Sequence, residues 1–256
     1  MPLLVEPEIA VQRPPYLVFS DVDETLIACK SMFDFLRFQL TSRHGESGED
    51  RYLEMVGELR AMAAAGAPRE EVNRSYYRLY AGEEVAEIAE LGRRWFAERS
   101  ATPGFFIGST VAALREHRAA GAELVLVSGS FDACVAPIAG HVGASYVLAT
   151  APEAVDGRYT GEVVEPMIGY GKRAGVMRLL ADHAAVDPRD CFAYGDHLSD
   201  LPMLECVGHP RVVGGDPELI RRLDRRAGVE PGCAVACWSM GAGQPGVEPC
   251  PRECVL

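Results

Sequence analysis

No apolar run in the chain approaches the roughly 20 residues that a membrane helix requires, which argues against a bilayer-spanning element. Positive charge is in short supply: Lys and Arg number 25 against 37 Asp and Glu, for a net charge of −12. Such a balance disfavours non-specific nucleic-acid binding and anionic membrane surfaces, so neither partner is expected. It leaves room for an anionic substrate, because local cations can dominate a pocket. The stretch from Met1 to Pro15 lacks a basic segment followed by an apolar core, so no secretory signal is expected. Its Pro2, Pro7, Pro14 and Pro15 imply an irregular lead-in, 1–15. Internal repeats are absent. With 48% hydrophobic and 24% charged residues, wholesale disorder is excluded. A length of 256 residues suits one sizeable α/β domain, or a core with a smaller insertion.

Of the eight cysteines, Cys29, Cys134, Cys191 and Cys206 are dispersed among core-like residues and read as buried free thiols. Without a signal segment, the compartment is read as reducing and cytoplasmic. Cys233, Cys237, Cys250 and Cys254 crowd into a Gly- and Pro-rich tail, 231–256. They could form a four-thiolate zinc site, although the x-x-x spacing is looser than the usual x-x, and a flexible tail remains the simpler reading.

Tyr16-Leu17-Val18-Phe19 predicts a buried strand. A long helical segment follows, in which Tyr52, Met55, Leu59 and Met62, then Val85, Ile88 and Trp95, fall at helical spacing; Gly66-Ala67-Pro68 breaks it. This block, 29–99, is too long for a strand-to-helix loop and predicts an inserted helical domain. Thr102-Pro103-Gly104 marks the return to a core made of 16–28 and 100–230. There helix and strand alternate: a helix over 109–120, the strand Leu124-Val125-Leu126-Val127, a strand over 145–150, a hairpin about Asp156-Gly157, a helix over 171–183, the strand Phe192-Ala193-Tyr194 and the strand Arg211-Val212-Val213. The expected fold is α/β, a doubly wound parallel sheet of Rossmann-like type with an inserted α-helical domain.

The strand ends carry the polar residues. Asp21-Val22-Asp23-Glu24-Thr25 follows the first strand, and two like charges so close require a cation or a shared proton. The same residue types are ordinary in turns and helix caps, so this element alone is weak. Ser128-Gly129-Ser130 after the next strand can hold a phosphate oxygen through a hydroxyl and backbone N–H groups, or merely cap a helix. Lys172 opens a helix and can neutralise an anion. Asp196, after Tyr194-Gly195, could complete a hard-cation site with Asp21, and Asp200 could hold Lys172 or a metal-bound water.

In order and context these four elements resemble the haloacid dehalogenase (HAD) superfamily, over about Tyr16 to Gly214. The chain is most similar to the phosphoserine phosphatase-like branch, subfamily IB, which carries a helical cap between its first two motifs. The resemblance implies a phosphatase that hydrolyses a small phosphate monoester with Mg²⁺ as cofactor. It assigns the metal to Asp21, Asp196 and the Asp23 backbone carbonyl. Asp21 is the implied nucleophile, forming an aspartyl-phosphate, and Asp23 the acid/base. Thr25, Ser128, Gly129 and Lys172 are the implied phosphate-binding residues, with Asp200 orienting Lys172 or a metal water.

The chain departs from the pattern at Lys30, at His197 and at Ser199, where many members have Asn. Phosphoserine phosphatases carry a Glu that pairs with the substrate amine; ungapped alignment puts Lys30 there, and a cation repels an amine. Phosphoserine is therefore not the expected substrate. His197 stands where relatives often carry a small residue. Lys30, His197 and Arg173 are candidate substrate contacts, with Arg37 and Arg43 weaker ones; Phe33, Phe35 and Phe38 could line a lid or simply pack. A phosphotransferase of the same fold and an inactive phosphate-binding protein stay open as alternatives.

Overall fold

The structure is a computed structural model in which residues 16–227 and 236–238 are described. Leu17, Val18 and Phe19 offer no polar face, and all three are buried, as a strand covered on both sides requires. They form β1 (Leu17–Ser20). Four helices follow: α1 (Ser31–His44), α2 (Glu46–Ala64), α3 (Arg69–Arg78) and α4 (Val85–Ser100). Gly66-Ala67-Pro68 lies in the break between α2 and α3. The chain then runs through α5 (Gly108–Ala119), β2 (Glu123–Ser128), α6 (Asp132–Val142) and β3 (Tyr146–Ala149). A hairpin, β4 (Ala151–Val155) and β5 (Arg158–Glu165), precedes α7 (Tyr170–Asp182) and β6 (Phe192–Gly195). A short α8 (Leu201–Leu204), β7 (His209–Val213), α9 (Pro217–Ala227) and β8 (Ala236–Trp238) complete the order.

Six strands make one sheet in the order β3-β2-β1-β6-β7-β8, with every neighbouring pair parallel. This is the doubly wound α/β fold expected from the alternation. The chain leaves β1 toward β2 on one side and later returns to β6 on the other. The crevice at the carboxyl ends of β1 and its neighbours is thus a topological switch point, where open α/β sheets bind ligands.

The hairpin stands apart as a two-stranded antiparallel sheet. Asp156 and Gly157 have φ of 49° and 77°, the left-handed pair that a two-residue type I′ turn demands. This turn engages the segment joining α3 to α4: Gly82 N–H donates to Tyr159 O (2.8 Å), Tyr159 N–H to Glu83 O (3.0 Å) and Val85 N–H to Gly157 O (2.9 Å).

Aromatic packing ties α1, α3 and the turn after α3 to the start of α6. Phe131, at the start of α6, lies 5.9 Å from Phe35 of α1, 5.5 Å from Tyr77 of α3 and 5.2 Å from Tyr80, ring centroid to centroid. All four rings are buried, each contributing about 1.5–3 kcal/mol over an exposed ring. Phe131 follows Ser128-Gly129-Ser130 directly, so the cluster also braces that loop. Of the four cysteines expected to be buried thiols, Cys134 and Cys191 are buried, whereas Cys29 and Cys206 are only partly buried, and none of the four is in a disulfide among the described residues. Of the tail cysteines, Cys233, Cys250 and Cys254 lie outside the described residues, and Cys237 falls within β8. No helix among the described residues is long and apolar enough to cross a membrane.

Candidate active site

Three adjacent strands deliver the polar residues to one place. The Asp21 N–H donates to Tyr194 O (2.9 Å), extending the β1–β6 ladder by one residue before the chain turns. The turn closes when Val22 O accepts from Leu26 N–H (2.8 Å) and Ile27 N–H (3.0 Å), with Glu24 at a left-handed φ of 61°. Ser128 ends β2, and its Oγ accepts the Ser130 N–H at 3.1 Å. Gly195 ends β6 and hands the chain to Asp196.

Lys172, in the first turn of α7, reaches the same point. Its ammonium donates to Asp21 Oδ1 at 2.5 Å and to Asp200 Oδ1 at 2.7 Å. All three residues are buried. The second oxygen of Asp200 accepts the backbone N–H groups of Asp196 and His197, both at 3.2 Å. Gly195 is required here, since a Cβ on it would sit 2.7 Å from the Asp200 Cβ. Thr25 Oγ1 donates to Asp196 Oδ1 at 2.9 Å. Each carboxylate is thereby aimed by a specific donor.

One ammonium does not neutralise this cluster. Two like charges 4 Å apart repel by about 4 kcal/mol at an effective dielectric near 20. Burial raises the Asp21 pKa well above its ordinary value against the pull of Lys172, and the charges on Asp200, Asp196 and Asp23 add to the rise. Burial, with Asp200, pushes Asp196 up to about 7, against the Thr25 hydrogen bond. Burial also raises Asp23, opposed by the hydroxyl and backbone N–H of Ser31. For Lys172 burial works downward, but Asp200 and Asp21 override it and raise its pKa, so the ammonium stays charged.

The remaining demand is for a hard cation. Carboxylate oxygens of Asp21, Asp196 and Asp200 lie within 4.8 Å of one another. Asp200 has both oxygens engaged as acceptors, whereas Asp21 and Asp196 each keep one oxygen free of hydrogen bonds among the described residues. An all-oxygen set with two free carboxylate oxygens suits a divalent cation that retains waters.

A cavity of about 130 Å³ opens onto these groups, lined by Asp21, Asp23, Ser128, Gly129, Lys172, Asp196 and Asp200 among others. Lys30 and His197 line it as well. Lys30 is paired with Glu24 at 2.9 Å. Lys30 and Lys172 are the only lysines in the chain, and both face this cavity. Arg173 lies away from the lining, its guanidinium 3.8 Å from Cys206 Sγ. Arg37 pairs with Glu49, and Arg43 with Glu83 and Glu87. Phe33 lines the cavity, whereas Phe35 and Phe38 are buried in the core.

Among the lining residues that escaped the sequence reading are Arg69 and Asn73. Arg69, which opens α3, places Nη1 2.9 Å from a ring nitrogen of His197. Asn73, one turn on, donates from Nδ2 to Gly129 O at 3.1 Å, and Tyr77 OH donates to the same oxygen at 2.9 Å. The helical segment thus bonds directly to the Ser128-Gly129 loop.

The sheet order, the strand-end carboxylates and the buried lysine agree with what comparison finds. The haloacid dehalogenase-like hydrolase family matches residues 18–205, and the chain belongs to that family. A probable phosphatase of Mycobacterium tuberculosis is 32% identical over 215 residues, covering 81% of this chain and 72% of that protein. A phosphoserine phosphatase of the same organism is 30% identical over 241 residues, covering 90% and 76%. Among solved structures, a Bordetella pertussis protein of unknown function superposes with a TM-score of 0.71 at 26% identity, over 84% of this chain and 96% of that one. A phosphoserine phosphatase carrying a phospho-aspartyl intermediate analogue shares the fold, with a TM-score of 0.57 at 18% identity over 85% and 100%. The chain is a phosphatase-type hydrolase of this family.

Proposed function

We propose that the protein is a magnesium-dependent phosphatase that hydrolyses a small phosphate monoester through an aspartyl-phosphate on Asp21. The observation that carries this reading is the buried Lys172 ammonium bridging Asp21 and Asp200, with carboxylate oxygens of Asp21, Asp196 and Asp200 within 4.8 Å of one another. The Asp21 and Asp196 carboxylates and the Asp23 carbonyl would hold Mg²⁺, which would supply positive charge to the phosphoryl oxygens. The rest falls to the chain's own residues. Asp21 attacks phosphorus as the bond to the leaving oxygen breaks. Asp23, whose raised pKa favours the protonated form, gives its proton to the departing alcohol. It then takes a proton from the water that attacks phosphorus, releasing phosphate and restoring Asp21. Thr25, Ser128, the Gly129 N–H and Lys172 hold the phosphoryl oxygens.

In this reading residues 29–99 form a cap over a core of 16–28 and 100–230, excluding bulk water during transfer. Phosphoserine is not the substrate in this reading, because Lys30, paired with Glu24 at the cavity wall, holds the position that ungapped alignment gives to the amine-binding acid. The free thiols fit a reducing, cytoplasmic setting. The test is phosphate release from a broad ester panel, with Mg²⁺ and with chelator, alongside trapping of ³²P on the wild type and on Asp21→Asn. Hydrolysis that survives either chelation or Asp21→Asn would overturn the mechanism. Transfer to added alcohols in preference to water would make the protein a phosphotransferase.

A further inference from the structure

The polar groups that the helical segment sends to the cavity are nearly all satisfied. Lys30 pairs with Glu24 at 2.9 Å, Arg69 meets His197 at 2.9 Å, and Tyr76 OH donates to Met32 O at 2.7 Å. Asn73 is the exception. It is the only asparagine in the chain, it is 5% exposed, and its Oδ1 has no hydrogen-bond partner. The amide orientation is fixed, because Nδ2 donates to Gly129 O at 3.1 Å and turning the group over would set two carbonyl oxygens against each other. A buried acceptor without a donor is costly, and sites built around one discriminate by filling it.

The surroundings narrow what fills it. Met32, Phe33, Ala63, Ala67, Val72 and Ile168 give the cavity an apolar lining. Its volume of about 130 Å³ lies below the range of roughly 300–1,000 Å³ typical of drug-sized ligand sites. The leaving group is therefore short. The missing partner is a hydrogen-bond donor. The acceptor is a neutral amide one turn from Arg69, and of the carboxylates that line the cavity Glu24 is paired with Lys30 while the aspartates surround Lys172 and the candidate metal site, which leaves the amide itself better matched to a hydroxyl than to an ammonium group.

We propose that Asn73 Oδ1 accepts a hydrogen bond from a hydroxyl of the leaving group, which makes the substrate a phosphate monoester of a short polyol. This rests on the phosphatase reading and deepens it. Asn73 is then a specificity-determining residue that also anchors α3 to the phosphate loop through Gly129 O.

The experiment measures kcat/KM on short-chain phosphates that differ by one hydroxyl: glycerol phosphate, the propanediol phosphates and propyl phosphate, with p-nitrophenyl phosphate as a generic ester. Wild type should favour the best hydroxylated ester over propyl phosphate by about 10–100-fold. Asn73→Leu should bring that ratio to within about threefold of unity. A wild-type ratio near unity, or an unchanged ratio in a folded Asn73→Leu, overturns the inference while hydrolysis itself stands. No phosphate release from any ester overturns the phosphatase reading, and this inference with it.

Discussion

The cluster of strand-end carboxylates should make the metal-free protein lose stability as pH rises through neutrality. Asp196 carries the sharpest case, its pKa raised from an ordinary 3.8 to about 7 by burial and Asp200. Below pH 4 both folded and unfolded chains hold the proton. Between pH 4 and 7 the unfolded chain has released it and the folded one has not, so the folded state binds more protons and stability falls with rising pH. The rise to about 7 corresponds to about 4 kcal/mol over that window. About 2.5 kcal/mol of this falls between pH 5 and 7.5, so at 2–4 °C per kcal/mol for a domain of this size the melting temperature in chelator should drop by about 5–10 °C over that range. Asp21, raised in the same direction, adds to the drop. A divalent cation binds the ionised carboxylates and should return about 2.7 kcal/mol at a hundred times its Kd, with its effect concentrated at the higher pH. Thermal melts at pH 5 and 7.5, with Mg²⁺ and with chelator, read this directly. Asp196→Asn should flatten the metal-free profile and shrink the Mg²⁺ response. A metal-free melting temperature that rises from pH 5 to 7.5, or a Mg²⁺ shift equal at both, would refute the reasoning.

Asp21→Asn should lower turnover by at least about a thousandfold with circular dichroism unchanged; substantial remaining activity would remove Asp21 as nucleophile. Lys172→Met leaves Asp21 and Asp200 without their shared counter-ion and should cost about 3–5 kcal/mol in denaturant melts, with activity lost; a stable, active variant would contradict the bridge. Gly195→Ala drives a Cβ into Asp200, 2.7 Å away, and should cost about 1–3 kcal/mol and reduce kcat. Lys30→Glu sets a second carboxylate beside Glu24 and should change preference among charged esters more than hydrolysis of p-nitrophenyl phosphate. Equal losses on both would mean that Lys30 does not read the substrate.

The sheet was legible because its strands lack a wet face. Leu17-Val18-Phe19 and Leu124-Val125-Leu126-Val127 can sit only between covering layers, and the residues that follow each of them fall at one edge of the sheet. Asp21, Ser128 and Asp196 could be brought together on paper for that reason, and Lys172 by its place at a helix start. The hairpin was less visible. Ala151–Val155 is largely exposed and shows no alternation, so only Asp156-Gly157 signalled it. Asn73 and Tyr77 left no local trace. They lie on a helix whose Val72 and Tyr76 read as ordinary core, and their shared partner, Gly129 O, is 56 and 52 positions away. Arg37 and Arg43 drew notice as cations near the first motif, but helix packing gives both of them acidic neighbours of their own. Contacts of this kind depend on how the helical segment lies against the sheet, which no period in the sequence encodes.

All but two of the 25 basic residues are arginines, and the two lysines share one cavity. This has a practical consequence for labelling. An amine-directed acylating reagent ignores guanidinium groups and finds, chain termini aside, only Lys30 and Lys172. Lys172 is 3% exposed and held as a charged ammonium between two carboxylates, which makes it inert to such reagents. Lys30, with its side chain 17% exposed at the cavity wall, is left as a single reactive handle. A fluorophore or cross-linker could thus be installed at the mouth of the site without introducing a cysteine, and an occupant of the cavity would announce itself by shielding that one amine.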